Sequence, residues 1–477
     1  MSERYILQRQ LLNYAATGPY PLHMPGHKRR VAPAPGLPQG WDLTEVEGMD
    51  DLHAAEGILK EAMDRTAALH GAERTWYLVG GSTCGLLAGI RALAPAGSAV
   101  ICARNCHKAV YHAMELGGLR PRWLMPPLVE GWGVCGSVTP AMVAEALADA
   151  PDAACVILTS PTYEGVISDV AGIARLCREK GVPLLVDEAH GAHLGLFPGW
   201  PGSAVTLGAD VVVQSAHKTL PSLTQTAYLH LGRGSLADPE EVERQLGVFE
   251  TSSPSYPLLA SLDGCTGILR RDGEELFAMW QRNLTRFDRT AALLRRLAVL
   301  CHGTDRAADH PEIFAYDPGK LLLRANGLGL GGPALSDLLR EQFSFELEMA
   351  WGSVALAMTS MCDEASAFDR LALALVALDR QPGGEPQAVT ATLPPPGPSV
   401  CTAAAAVVRA HEAVPLSEAL GRTCAEYIWA YPPGVPLAAP GEELAADFLR
   451  AAQALEGSGT PLRHTRCRVP GALEVIA

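Results

Sequence analysis

Near-continuous apolar runs of strand length, alternating with stretches of helical periodicity, predict an α/β chain with a mixed, mostly parallel sheet covered by helices. Three observations carry this prediction. The runs CVIL, PLLV and VVV (residues 155–158, 183–186 and 211–213) are apolar without alternation, as strands covered on both faces must be. They recur between helical stretches from about Ala54 to Leu231, the order of a doubly wound domain. With 48% apolar and 19% charged residues, the 477-residue chain can bury a sizeable core, which excludes global disorder.

The elements follow in order. Residues 1–53 pass through GPYPLHMPGHKRRVAPAPGLPQGWD, where four prolines from Pro25 to Pro38 exclude a long helix and predict an extended arm. Helices are predicted over Ile58–Leu69, Cys84–Leu93, Lys108–Leu116, Thr139–Ala148 and Val170–Lys180. Strands are predicted over Thr75–Val79, Ala99–Cys102, Ala154–Leu158, Pro183–Val186, Val211–Val213 and Thr226–Leu231. Tyr256 to about Leu300 reads as mostly helical, with a long stretch over Glu274–Leu297, and closes a large domain of residues 54–300. A small α/β segment (301–380), a Pro/Gly linker (381–400) and a smaller α+β C-terminal domain (401–477) complete the chain.

Charge and cysteine usage narrow the function classes. Lys and Arg number 38 against 52 Asp and Glu, a net charge of -14, which speaks against a general nucleic-acid binder. The twelve cysteines are scattered and form no C-x-x-C pair, so neither a zinc ribbon nor a thioredoxin-type site is indicated. The start MSERYILQRQLLNYAATGPY has no apolar signal region, and no run reaches the ~18 residues of a membrane span. A cytoplasmic chain with reduced thiols and no membrane or metal partner is expected.

The chemistry concentrates in VVVQSAHKTLPSLTQTAYLH (211–230). Lys218 lies between two predicted strands, at a strand's carboxyl end, where open α/β sheets bind ligands. A lone lysine is usually a surface residue. One partly stripped of water has a lowered pKa and forms Schiff bases with carbonyl compounds. Upstream, LLVDEAHGAHLG (184–195) ends an apolar strand in Asp187, about one crossover unit earlier. A carboxylate on the rim of a Schiff-base lysine is what a pyridoxal 5'-phosphate site requires, because it keeps the pyridine nitrogen protonated. In isolation D-E-A-H would also suit a helix cap or a metal site, although a metal needs more ligands than His190 and His193. In TWYLVGGSTCGLLAGI (75–90) a strand runs through Gly80–Thr83 into a helix, where glycines, hydroxyls and N–H groups can receive a phosphate. It is neither a Walker nor a dinucleotide loop.

Together SAHK, DEAHGAH, GGST, ARNCHK, PLHMPGHK, DLTEVEGMDDLHAAEG and TSPTYEG resemble the Orn/Lys/Arg decarboxylase family, major class. That family is similar in fold to the type I pyridoxal phosphate enzymes. YPPGVPLAAPGEEL resembles its C-terminal domain motif, so the resemblance spans nearly the whole chain. It is the short form, without an N-terminal wing domain, that the chain resembles. The resemblance implies that Lys218 holds pyridoxal 5'-phosphate as a Schiff base and that Asp187 pairs with the pyridinium nitrogen. Gly81, Ser82 and Thr83 would hold the phosphate, with Ser215 a further contact and His217 beside the phosphate or the substrate carboxylate. His190 would meet the ring's phenolic oxygen. His107 would stack on the ring; its other reading is a helix-capping histidine after Asn105. Ser252 or Ser253 would reach the phosphate of a neighbouring subunit, so a homodimer or higher homo-oligomer with shared active sites is expected.

The implied activity is decarboxylation of arginine, lysine or ornithine to agmatine, cadaverine or putrescine and carbon dioxide, with the site selecting the bond by orientation. Binding the substrate's distal cation needs a carboxylate. Candidates are Glu45, Glu47, Asp50, Asp51, Glu442 and Glu443, each of which also reads as a solvated loop acid. Gly80 departs from the family by replacing an Asn-like position, and Pro221 changes the loop after SAHK. Two rivals remain at this point. Another type I enzyme, an aminotransferase or carbon–sulfur lyase, would use the same lysine and aspartate but usually an Arg clamp. A regulatory homologue would keep the fold without catalysis.

Overall fold

A computed structural model of the chain describes residues 5–17, 28, 38, 40–385, 393–430, 435–457 and 462–477. Most of the expected arm around Pro25–Pro38 and the middle of the Pro/Gly linker lie outside the described residues. From the N-terminus the elements are α1 (Ile6–Thr17), α2 (Ile58–His70), β1 (Arg74–Leu78), α3 (Gly81–Leu93), β2 (Ala99–Ala103), α4 (Lys108–Gly117) and β3 (Arg120–Leu124). They continue with α5 (Pro140–Asp149), β4 (Ala153–Thr159), β5 (Val166–Ile167), α6 (Val170–Lys180), β6 (Leu184–Asp187) and β7 (Val211–Gln214). The short α7 (Ala216–Thr219), β8 (Ala227–Leu231), α8 (Pro239–Phe249) and the long α9 (Tyr256–Ala291) follow. Local chemistry sets several boundaries. Thr139 and Asp238 cap α5 and α8 with their side-chain oxygens, each ahead of a proline in the first turn.

The chain divides into two compact units, residues 1–93 with 177–279 and residues 94–176 with 280–477. In the first, β1, β8, β7 and β6 lie side by side in that order. β6 and β7 are parallel, with Asp187 opposite Val213. β8 runs antiparallel to both its neighbours, with Leu78 opposite Ala227 and Gln214 opposite Tyr228. That register brings the carboxyl ends of β1, β6 and β7 and the amino end of β8 to one rim. α3 lies close on these strands: a Cβ at Gly85 would sit 2.6 Å from Leu78 Cδ1.

In the second unit β4, β2 and β3 form a parallel set. A separate antiparallel sheet joins residues 349–351, 354–358, 320–324 and 298–299 in that order. Residues 411–476 carry two small antiparallel sheets and a core that includes Val414, Ile428, Leu437, Leu444, Phe448 and Leu473.

Several elements differ from expectation, among them the helix α1, inside the stretch expected as an arm, and the unanticipated helix α8. The predicted helix over Glu274–Leu297 belongs to α9, which begins at Tyr256 and ends at Ala291. Beyond it, the Asp379 carboxylate takes the backbone N–H groups of Arg295, Arg296 and Leu297, and the chain turns into the strand Ala298–Val299. β3 was not anticipated, because RPRWL carries two arginines and a proline; as an edge strand paired only with β2 it tolerates Pro121. Among the described residues no helix is long and apolar enough to cross a membrane.

Candidate active site

The shared rim of the first unit gathers most of the residues expected there. Asp187 is the last residue of the fully buried strand LLVD and is 2% exposed. Its carboxylate accepts the Ala189 N–H at 3.1 Å. Burial raises its pKa, while the nearby Lys218 charge and that N–H lower it. Lys218 stands on the single-turn α7 between β7 and β8, half-buried, with Nζ 3.0 Å from His190 Nε2. His190 is thus placed on the lysine amine.

Beside them, the Ser215 hydroxyl donates to Ser82 Oγ at 2.9 Å, joining the β7–α7 corner to the start of α3. Gly81 opens α3 with φ +76°, a left-handed conformation in which glycine carries no penalty. Ser82 is half-buried and Thr83 exposed. The first N–H groups of α3 have no acceptor within the helix. His217 donates from Nδ1 to the Thr226 carbonyl at 2.8 Å, and burial lowers its pKa, as does the Lys218 charge. Gln225, not singled out in the sequence, donates from Nε2 to the Val79 carbonyl at 2.6 Å and pins the loop holding Pro221 to the end of β1.

These residues fit pyridoxal 5'-phosphate. An amine, a desolvated carboxylate that calls for a cationic partner, and a helix start flanked by two hydroxyls share one rim. Thr219, next to Lys218, has a buried hydroxyl with no hydrogen-bond partner in the structure. Among the described residues no group of three or more His, Cys, Asp or Glu is placed to hold a metal.

Comparison with known families matches residues 6–299 to the Orn/Lys/Arg decarboxylase major domain and residues 387–458 to the C-terminal domain of the same family. The chain belongs to the Orn/Lys/Arg decarboxylase family. It is accordingly a pyridoxal-phosphate-dependent amino-acid decarboxylase. An arginine decarboxylase of Bacillus subtilis is 33% identical over 443 residues, 91% of this chain and 89% of its own length. An arginine decarboxylase of Halalkalibacterium halodurans is 31% identical over 461 residues, 94% of this chain and 93% of its own. The lysine decarboxylase of Francisella novicida superposes with a TM-score of 0.84 at 18% identity, covering 100% of this chain and 81% of its own; that likeness shows the fold.

The other residues named by the resemblance have local settings of their own. His107 belongs to the second unit, just past β2, and caps α4 by accepting the Ala109 N–H on Nδ1 at 3.2 Å. The capping reading therefore holds, and it engages an edge of the ring rather than its face. Ser252 and Ser253 are exposed in the turn after α8. Two candidates for the substrate cation need correction. Glu442 is buried in the second unit and engaged by Arg104, Nη1 to Oε1 at 2.5 Å and Nη2 to Oε2 at 2.9 Å. Asp50 braces its own loop, accepting the N–H groups of Asp51, Glu56, Gly57 and Leu59. A carboxylate whose lone pairs are filled this way is already committed. Glu188, the second acid of DEAH, is likewise taken, by Ser203 Oγ at 2.7 Å, Ala204 N–H at 2.8 Å and Gln214 Nε2 at 2.7 Å.

Proposed function

We propose that this family member decarboxylates a free basic amino acid, arginine before lysine or ornithine, to the corresponding amine and carbon dioxide. The observation that carries the reading is one rim bearing both the Lys218 amine, 3.0 Å from His190, and the buried Asp187 carboxylate. The preference for arginine rests on the relatives named arginine decarboxylases. When bound, pyridoxal 5'-phosphate supplies an electron sink for the pair left behind as the carboxylate departs.

The protein's part follows from its own groups. Lys218 Nζ, beside His190, would hold the cofactor's aldehyde group and would be placed to return a proton to the substrate's α-carbon. Asp187, costly to ionise in its buried setting, would pair with the cofactor's protonated nitrogen and keep it charged. Gly81, Ser82, Thr83 and Ser215 would hold the phosphate, with His217 beside them. His107 would cover the ring. Ser252 and Ser253 would serve the neighbouring subunit of a homodimer with shared sites, in the cytoplasm.

The test is incubation of the protein and cofactor with each of the three amino acids, followed by mass spectrometry for agmatine, cadaverine and putrescine. Agmatine with stoichiometric carbon dioxide is the expected result. Release of a keto acid instead would refute the reading in favour of an aminotransferase or lyase.

A further inference from the structure

The corner between β1 and α3 is held by a residue outside every family string quoted above. Glu250 follows α8, and its buried carboxylate lies under that corner. Oε2 accepts the N–H groups of Val79 at 3.1 Å and Gly80 at 3.0 Å and the thiol of Cys84 at 3.1 Å. Oε1 accepts the Thr251 N–H at 2.8 Å. Burial and the adjacent Glu250 charge hold the Cys84 thiol far above its ordinary pKa, so it stays a donor. Glu250 thus takes the two N–H groups that precede α3, while the helix's own first N–H groups need acceptors from outside. Charge-assisted bonds to two successive backbone N–H groups fix the chain direction at the point of entry into the helix.

Position 80 belongs to the same arrangement. A Cβ there would sit 2.9 Å from Glu250 Oε1 and 3.1 Å from Cys84 Sγ. The absence of a side chain where an Asn-like residue was expected therefore makes room for the carboxylate.

We propose that Glu250, paired with Gly80, is a positioning residue for the cofactor phosphate. It sets the corner so that the start of α3, with Ser82 and Thr83, is preformed for a phosphate ester. The inference rests on the reading of this rim as the pyridoxal phosphate site. Its test separates phosphate recognition from overall integrity.

Cofactor-stripped protein is titrated with pyridoxal 5'-phosphate and with pyridoxal, which lacks the phosphate, following tryptophan fluorescence. Glu250→Ala should weaken the phosphorylated ligand about tenfold or more, the scale of a lost charge-assisted bond, and leave pyridoxal within about twofold. Gly80→Ala, which drives a methyl group against the carboxylate, should reproduce that selective loss even where Glu250→Ala fails to fold. The double variant should lose less than the two singles combined, because they act on one contact. Equal weakening of both ligands, unchanged phosphate selectivity in Gly80→Ala, or additive losses would overturn the proposal. Wild-type protein that binds the two ligands equally would instead sink the cofactor reading, and this inference with it.

Discussion

Replacing Glu442 by alanine should destabilise the chain by about 3–5 kcal/mol, the range for breaking a buried ion pair from one side. Arg104 is fully buried, and its guanidinium donates to two oxygens of Glu442 and to the Leu437 carbonyl at 3.1 Å. Burial opposes its charge; Glu442 is the main group that sustains it. Removing Glu442 leaves the Leu437 carbonyl and the faces of Trp123 and Tyr111, at 4.8 and 5.6 Å, which offset about 1–2 kcal/mol as cation–π contacts. The Ala439 N–H also loses its acceptor, formerly Glu442 Oε2 at 3.0 Å. Arg104→Met combined with Glu442→Leu removes both charges and should recover most of the loss. Urea unfolding followed by circular dichroism, with linear extrapolation, measures the parent chain and both variants. A cost below about 1 kcal/mol for Glu442→Ala, or a double variant no more stable than Glu442→Ala, would refute the reasoning.

Lys218→Ala should abolish both amine formation and the yellow absorbance of the bound aldehyde; activity without that lysine would contradict its assignment. Asp187→Asn keeps an acceptor for the Ala189 N–H but no charge, so turnover should fall roughly 100-fold or more while the aldehyde stays bound, as absorbance and amine assays on one sample can show. Two buried groups of the first unit contribute to the pH dependence of stability in opposite directions. Burial pushes Glu188 up from 4.5 to about 7, so its contribution is full below 4.5 and lost as pH rises through 7. Burial pushes His70 down from 6.5 to about 4, so its contribution is present above 6.5 and lost as pH falls through 4. Each is worth about 3 kcal/mol, and between these limits they oppose each other. His70→Phe removes one arm, so relative to the parent chain it should gain up to about 3 kcal/mol as pH falls from 7 to 4.5. Urea midpoints at four pH values on the cofactor-stripped chain decide this, and parallel slopes for parent and variant would exclude it.

Much of the fold was readable because covered parallel strands leave a strong mark: LLVD and VVVQ are buried throughout, and both were predicted within a residue or two. Lys218 and Asp187 were readable for a related reason. A charged residue directly after such a run has one place to go, the strand's carboxyl end. β3 was missed because an edge strand needs neither apolar continuity nor freedom from proline. Glu250 was missed because an acid following a surface helix looks solvated in one dimension, and its donors lie some 170 residues earlier.

The sequence by itself determined the alternation of elements, the family and the side chains able to do chemistry, since these follow from periodicity and local strings. Tertiary structure alone decided which acids are already committed. ARNCHK and GEEL each read as loops, yet Arg104 and Glu442 neutralise one another inside the second unit. Whether a carboxylate faces water, a guanidinium or a row of N–H groups depends on what the chain brings to it from far away. That pairing sets both its charge and its availability to a ligand.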